Sequence, residues 1–151
     1  MDKNEKIIDL KMTEKFTEEY VSLRNHYCEF LLTKPVNVSE TRTWLKSNEI
    51  EVRGIVGNAT LLGVVILYLK RRGEIAFFAK DQNRGIGGKL LKIIERVAKE
   101  NNLKSVWAWV LSDNLAAQKT FQKNGYTLES QSSRSYEKEE RPGVIYRKEI
   151  Y

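Results

Sequence analysis

Two short apolar runs, Glu74 to Ala79 (EIAFFA) and Val106 to Leu111 (VWAWVL), stand on either side of a glycine-rich loop and a helix-forming stretch. No other feature of the chain limits its fold as much. Runs of this length and composition form strands. Between them Leu90, Leu91, Ile94, Val97 and Ala98 recur at helical spacing, an apolar stripe that Asn101-Asn102 brings to a close. A helix joining two strands makes them parallel, with a right-handed crossover. VWAWVL is apolar on both faces, as expected of a central strand covered from two sides.

The flanking segments extend that sheet. Ile7 to Lys11 reads as a first strand, and Thr13 to about Tyr27 as a helix with Phe16, Tyr20 and Leu23 on one face. Ser39 can cap a second helix running through Trp44 and Leu45. Glu51 to Val56 and Thr60 to Leu69 flank the turn pair Gly57-Asn58 and read as a hairpin. Asn114 to Asn124 forms a further helix closed by Gly125, and the remainder reads as a strand pair around Arg141-Pro142-Gly143. The expectation is one α/β domain spanning residues 1–151, with helices on the faces of a mixed sheet.

Composition removes several function classes. No apolar run approaches the roughly 18 residues that a membrane span needs. The first stretch, MDKNEKIIDLKMTEKF, lacks the apolar centre of a secretory signal, so the expected location is the cytoplasm, and the sequons at Asn37 and Asn58 are chance matches. Cys28 and His26 are the only residues of their kinds, too few for a disulfide framework or a zinc site, so no metal is expected. The net charge of +6 is spread over dispersed lysines, without zinc-finger spacing or an aromatic RNA-binding signature. That argues against nucleic acid and suits a small polyanionic ligand.

The loop itself, DQNRGIGG, places Gly85, Gly87 and Gly88 between a strand and a helix. Free backbone N–H groups and the positive end of a helix dipole meet at such a point, and glycine lets an anion approach them. Glycines that merely turn the chain and pack the helix on the sheet are the other explanation. Two phosphate motifs fail on spacing. Asn83 stands where a P-loop has its first Gly and Leu90 follows Lys89 in place of Ser or Thr; Leu90 also occupies the third glycine of a dinucleotide fingerprint.

What remains, Gln82-x-x-Gly85-x-Gly87 followed by Leu90-Leu91, resembles the acyl-CoA-binding Q/R-x-x-G-x-G/A motif of the GNAT (GCN5-related) N-acetyltransferase superfamily. Downstream, DNLAAQKTFQKNGY is similar to that family's second landmark, with Asn114, Ala117, Phe121 and Gly125-Tyr126 in register. The resemblance runs from about Ile7 to the C-terminus. It implies the GNAT fold, a mostly antiparallel mixed sheet of about seven strands with helices on both faces and two splayed parallel central strands. It also implies an acetyl-CoA-dependent transfer to a primary amine.

The family pattern assigns roles along the chain. Main-chain amides of Gln82, Asn83, Arg84, Gly85, Ile86, Gly87 and Gly88 would hold the CoA pyrophosphate, with Arg84 as a charged contact. Phe77, Phe78 and Ala79, on a strand that carries a bulge in the family, would pair with pantetheine as if with another strand, and Asn114 would face it or cap the helix it precedes. A strand N–H near Phe78 would stabilise the oxyanion of the tetrahedral intermediate. Glu74 matches a general base of the histone acetyltransferase branch, although a Glu at a strand start is more often a solvated edge residue. Phe121 stands where many members carry a proton-donating Tyr, and a phenyl ring donates nothing, so water or Ser112 would have to assist the departing thiol.

The acceptor is less constrained. LRNHYCEFLLTKPVNVSETRTWL resembles the Arg-Asn-His segment of members that acetylate nucleotide-linked amino sugars, and more loosely those that modify protein N-termini. Arg24, Asn25 and His26 would then line the pocket, with His26 as an alternative base; a helix end closed by a capping His explains the same residues. Tyr20, Tyr27 and Trp44 suit the core better than a sugar platform. The expected partner is a small-molecule amine, with a protein or peptide amine as the alternative and no nucleic acid or membrane; a homodimer is left open. A catalytically idle CoA-binding module is the competing class.

Overall fold

A computed structural model of the protein describes residues 4–80 and 85–151. Seven strands, β1 (Glu5–Asp9), β2 (Ile50–Gly57), β3 (Thr60–Tyr68), β4 (Glu74–Ala79), β5 (Ser105–Leu111), β6 (Thr127–Tyr136) and β7 (Glu139–Glu149), form one sheet in the order β1-β2-β3-β4-β5-β7-β6. Every neighbouring pair is antiparallel except β4 and β5. Those two are parallel and meet only where Glu74 lies opposite Trp107; beyond that point they part.

Helices cover both faces. On one side α4 (Ile86–Glu100) and α5 (Leu115–Lys123) pack on Ile55, Val65, Leu67, Ile75, Val106 and Ala108. All five apolar stripe residues of α4, from Leu90 to Ala98, are buried there. Each contributes roughly 1.5–3 kcal/mol if it is as large as Val or Leu, enough to fix the helix without help from its glycine-weakened first turn. On the other side α1 (Thr17–His26), the single turn α2 (Cys28–Leu31) and α3 (Val38–Trp44) cover Val52, Val64, Ile66 and Phe78, with Tyr20 stacked on Trp44 at 5.9 Å between ring centroids. Tyr20 is core, as its spacing implied, and Trp44 packs beside it half-buried.

Several local expectations need correction. The cap of α3 is Asn37, whose side chain accepts from the Glu40 N–H at 2.8 Å, and not Ser39. The β2–β3 turn is centred one residue later, on Asn58-Ala59, both with positive φ (51° and 63°). The β6–β7 hairpin turns at Glu137-Lys138, which also have positive φ, while Arg141-Pro142-Gly143 lies inside β7. Proline is tolerated there because β5 ends opposite Gly143, leaving Pro142 with a strand neighbour on one side only. The second face of β5 is only half covered, with Trp107 and Trp109 partly exposed. β4 keeps unbroken register with β3 from Glu74 to Ala79, so the expected bulge is absent from this strand.

Candidate active site

The parting of β4 and β5 opens a cleft of about 960 Å³ that reaches both faces of the sheet. Side chains alternate along β4, so Ile75 and Phe77 face α4 and α5 while Ala76 and Phe78 face α1 and α2. All four line the cleft. On the α4/α5 side its walls are Gly85 to Gly88, Asn114, Ala117 and Phe121; on the other side they are Tyr27, Phe30, Leu31 and Trp109.

The ladder decides which backbone groups face the gap. The Lys80 N–H donates to the Leu62 carbonyl at 2.7 Å, and hydrogen-bonded pairs alternate along an antiparallel ladder, so Phe78 is committed to Val64 of β3. Phe77 and Ala79 therefore turn their N–H and C=O groups toward β5, the same direction in which the Gly73 carbonyl accepts from the Trp107 N–H. The donors available to a ligand in the gap belong to Phe77 and Ala79 rather than to Phe78.

The three glycines have different tasks. Gly85 is left-handed (φ 75°), opens α4, and would have nothing within 4 Å of a Cβ, so it bends the chain into the helix beside open space. At Gly87 a Cβ would sit 3.0 Å from both a Phe77 ring carbon and the Thr120 methyl, which makes it the point where α4 closes on β4 and α5. Gly88 lies against the Asn124 amide, with a Cβ 3.2 Å from it. The loop thus turns, packs and leaves the start of α4 open to the cleft. Gln82, Asn83 and Arg84 lie outside the described residues.

Asn114 caps α5 through Oδ1, which accepts from the Ala117 N–H at 3.2 Å, and it lines the cleft as well. Its Nδ2 has no hydrogen bond among the described residues. Phe121 is 2% exposed, edge-on to Phe77 and Tyr126 and stacked on Tyr146 at 5.8 Å. It is the hub through which the cleft wall joins the core. Ser112 is not among the cleft-lining residues; its carbonyl accepts from the Gln118 amide.

Glu74 is 5% exposed, with one carboxylate oxygen accepting from Arg134 Nη2 at 2.9 Å and the other from Arg71 Nη1 at 3.3 Å. It is no solvated edge residue. Each arginine also lies on an aromatic ring, Arg71 on Tyr68 at 4.2 Å and Arg134 on Trp109 at 4.9 Å. Burial pushes the Tyr68 hydroxyl up, opposed by Arg71, Arg24 and Arg134. Of the acceptor triplet, Asn25 exchanges two 2.9 Å hydrogen bonds with the Val36 backbone and so pins the connection to α3, while His26 is exposed and edge-on to Tyr27. Arg24 reaches the Lys34 carbonyl at 3.4 Å. None of the three lines the cleft; the residues that do, Tyr27, Phe30 and Leu31, follow them directly.

Sequence reasoning therefore missed two groups. Trp109 and Arg134 meet only in the folded sheet, and nothing in TLESQSSRSY singles out the arginine. Lys92, Lys119 and Lys123 line the mouth between α4 and α5 with no ion pair among the described residues, whereas Lys89 is paired with Glu5 at 2.8 Å. Helical spacing places Lys92 one turn beyond Gly88, a signal that was available.

Known proteins with this architecture are numerous. The Salmonella typhimurium protein yncA, solved with its cofactor acetyl-CoA, superposes with a TM-score of 0.83 at 15% identity, covering 98% of this chain and 95% of that one. A ribosomal-protein-alanine N-acetyltransferase from Brucella melitensis gives 0.82 at 15% identity over 96% of this chain and 99% of its own. A GNAT-family acetyltransferase from Streptococcus pneumoniae gives 0.79 at 20% identity over 97% and 99%. At such identities the likeness is one of fold. No curated protein matches in sequence. The model of the acetyltransferase (GNAT) family, however, matches residues 10–126, from the end of β1 to the residue after Gly125. With most of the chain matched, this protein belongs to the acetyltransferase (GNAT) family, acyl-CoA N-acyltransferases that use acetyl-CoA.

Proposed function

We propose that the protein transfers the acetyl group of acetyl-CoA to the primary amine of a small acceptor, the two substrates meeting in the gap between β4 and β5. The observation that carries this reading is the cleft open to both sheet faces, with backbone groups of Phe77 and Ala79 turned into it. The residues fit the cofactor. The open start of α4 at Gly85 to Gly88 suits a diphosphate, Lys92, Lys119 and Lys123 suit its further negative charge, and the Asn114 amide on the cleft wall would meet pantetheine. Gln82, Asn83 and Arg84 belong to the same proposal by their motif.

Bound there, acetyl-CoA supplies an activated acyl group whose carbonyl oxygen gains negative charge during attack. The N–H groups of Phe77 and Ala79 would stabilise that charge, at a site where such donors are worth about 3–4 kcal/mol. The amine must arrive neutral, and an alkyl amine has a pKa of roughly 10, so its proton is lost to water or to a base. With both oxygens accepting from guanidiniums, Glu74 is better suited to organising those groups than to taking that proton. Phe121 closes the wall and offers no proton to the thiol.

A small acceptor is favoured because the hairpin and the α2 region meet across the acceptor side. The Tyr136 hydroxyl donates to the Thr33 carbonyl at 3.2 Å, tying the tip of β6–β7 to the chain after α2. Thiol release from acetyl-CoA is the test, across amino acids, nucleotide-linked amino sugars, polyamines and short peptides. Turnover on one or more small amines is expected. CoA binding by calorimetry with no turnover on any amine would identify an idle module, and turnover confined to peptides would assign a protein terminus as acceptor.

A further inference from the structure

We propose that Arg71, Glu74 and Arg134 form an anion-recognising fork on the acceptor side of the cleft, so that the amine acceptor carries a carboxylate or phosphate group. The inference rests on the transferase reading, and it names the substrate class for the same site. Glu74 sits at the point where β4 and β5 still touch, two residues from the cleft-lining Ala76 on the same face, about 7 Å along the strand. Trp109, which lines the cleft directly, carries the Arg134 guanidinium on its ring.

The charge is unbalanced in one direction. A single guanidinium would neutralise the buried carboxylate, yet two are held on its two oxygens, and Arg24 lies within electrostatic reach of the same Tyr68. The arginine side chains are 57% and 35% exposed, and beyond their bonds to Glu74 their remaining N–H donors have no partner among the described residues. Guanidinium donors lie in one plane and match a carboxylate or phosphate in pairs. A ligand anion on the fork would complete the neutralisation that Glu74 begins.

The fork is also rigid. The Trp107 indole N–H donates to the Arg71 carbonyl at 2.9 Å, and the Trp109 indole N–H donates to the Ser132 carbonyl at 2.8 Å, so each tryptophan fixes the backbone that carries one of the arginines. Donors fixed in advance bind an anion without the entropy cost of ordering long side chains.

Titration of matched amines into CoA-saturated protein, followed by calorimetry, tests the fork whether or not turnover occurs. Amino acids are compared with their carboxamides, and glucosamine 6-phosphate with glucosamine, so that the two sources of the anion are separated. The anionic member of at least one pair is expected to bind tenfold or more tightly. Arg134→Gln and the more exposed Arg71→Gln should each abolish most of that preference without changing CoA affinity, and Arg134→Lys should restore part of it. Equal affinity within both pairs, no binding of any anionic amine, tighter binding of a neutral peptide amide, or a preference untouched by both arginine variants would overturn the inference. Thiol release on the same panel reports separately on the transferase reading. Turnover without anion preference removes the fork alone, and anion preference without turnover removes the transferase alone.

Discussion

Gly87 shows how one missing side chain can set the spacing of a cleft wall. Its Cα hydrogen lies where Phe77 and Thr120 leave 3.0 Å for a Cβ, so a valine there must push α4 away from β4 or α5. Gly87→Val should cost about 1–3 kcal/mol, seen in urea unfolding, and should weaken CoA binding in parallel because Phe77 moves with it. Glu74 makes a different kind of demand. If it organises the two arginines, Glu74→Gln should raise the KM of the acceptor while the midpoint of the pH–rate profile stays in place; loss of the acid limb in the variant would instead assign proton transfer to this carboxylate. The residue was legible in the sequence as a matched motif position. Its partners were not, since Arg134 lies sixty positions away and joins Glu74 only after the hairpin has folded over β5.

At the level of elements, sequence reading succeeded where a period was long and failed where a turn was short. EIAFFA was located to the residue, and the α4 stripe was named except for Ile86 in its first turn, because each pattern is fixed by what it must bury. The turns were displaced because their determinants are backbone angles. Asn58-Ala59 and Glu137-Lys138 form two-residue connections with all four residues at positive φ, and only Asn58 is of a type that advertises it. Ala59 accepts a conformation that costs an L-residue roughly 1–2 kcal/mol. Ala59→Gly should therefore stabilise the protein by up to about 1 kcal/mol, measurable as a rise in Tm. The acceptor side was the least legible region for a related reason: α2 is a single turn, too short to show any periodicity, yet it supplies Phe30 and Leu31 to the cleft.

Across the whole molecule, buried tyrosines tie the two halves of the sheet to their helices. Burial raises the hydroxyls of Tyr20, Tyr68 and Tyr126, and the Glu95 carboxylate, which accepts from Tyr126 at 2.8 Å, adds to the last of these. Below pH 10 the folded and unfolded chains both hold these protons. Above it the unfolded chain releases them while folded Tyr20 and Tyr126 do not, so stability should fall by about 1.4 kcal/mol per pH unit for each of these two groups. Thermal scans between pH 9 and 11 should show this decline, made shallower in Tyr126→Phe. The cleft that crosses the sheet has its own consequence for kinetics. If donor and acceptor enter from opposite faces, as proposed, neither needs to leave before the other enters, and Cys28, the only thiol, is not among the residues lining the passage. Initial rates at varied concentrations of both substrates should give intersecting reciprocal lines, the signature of one crowded meeting in the middle of the protein, whereas parallel lines would mean that the acyl group is handed over in two separate visits.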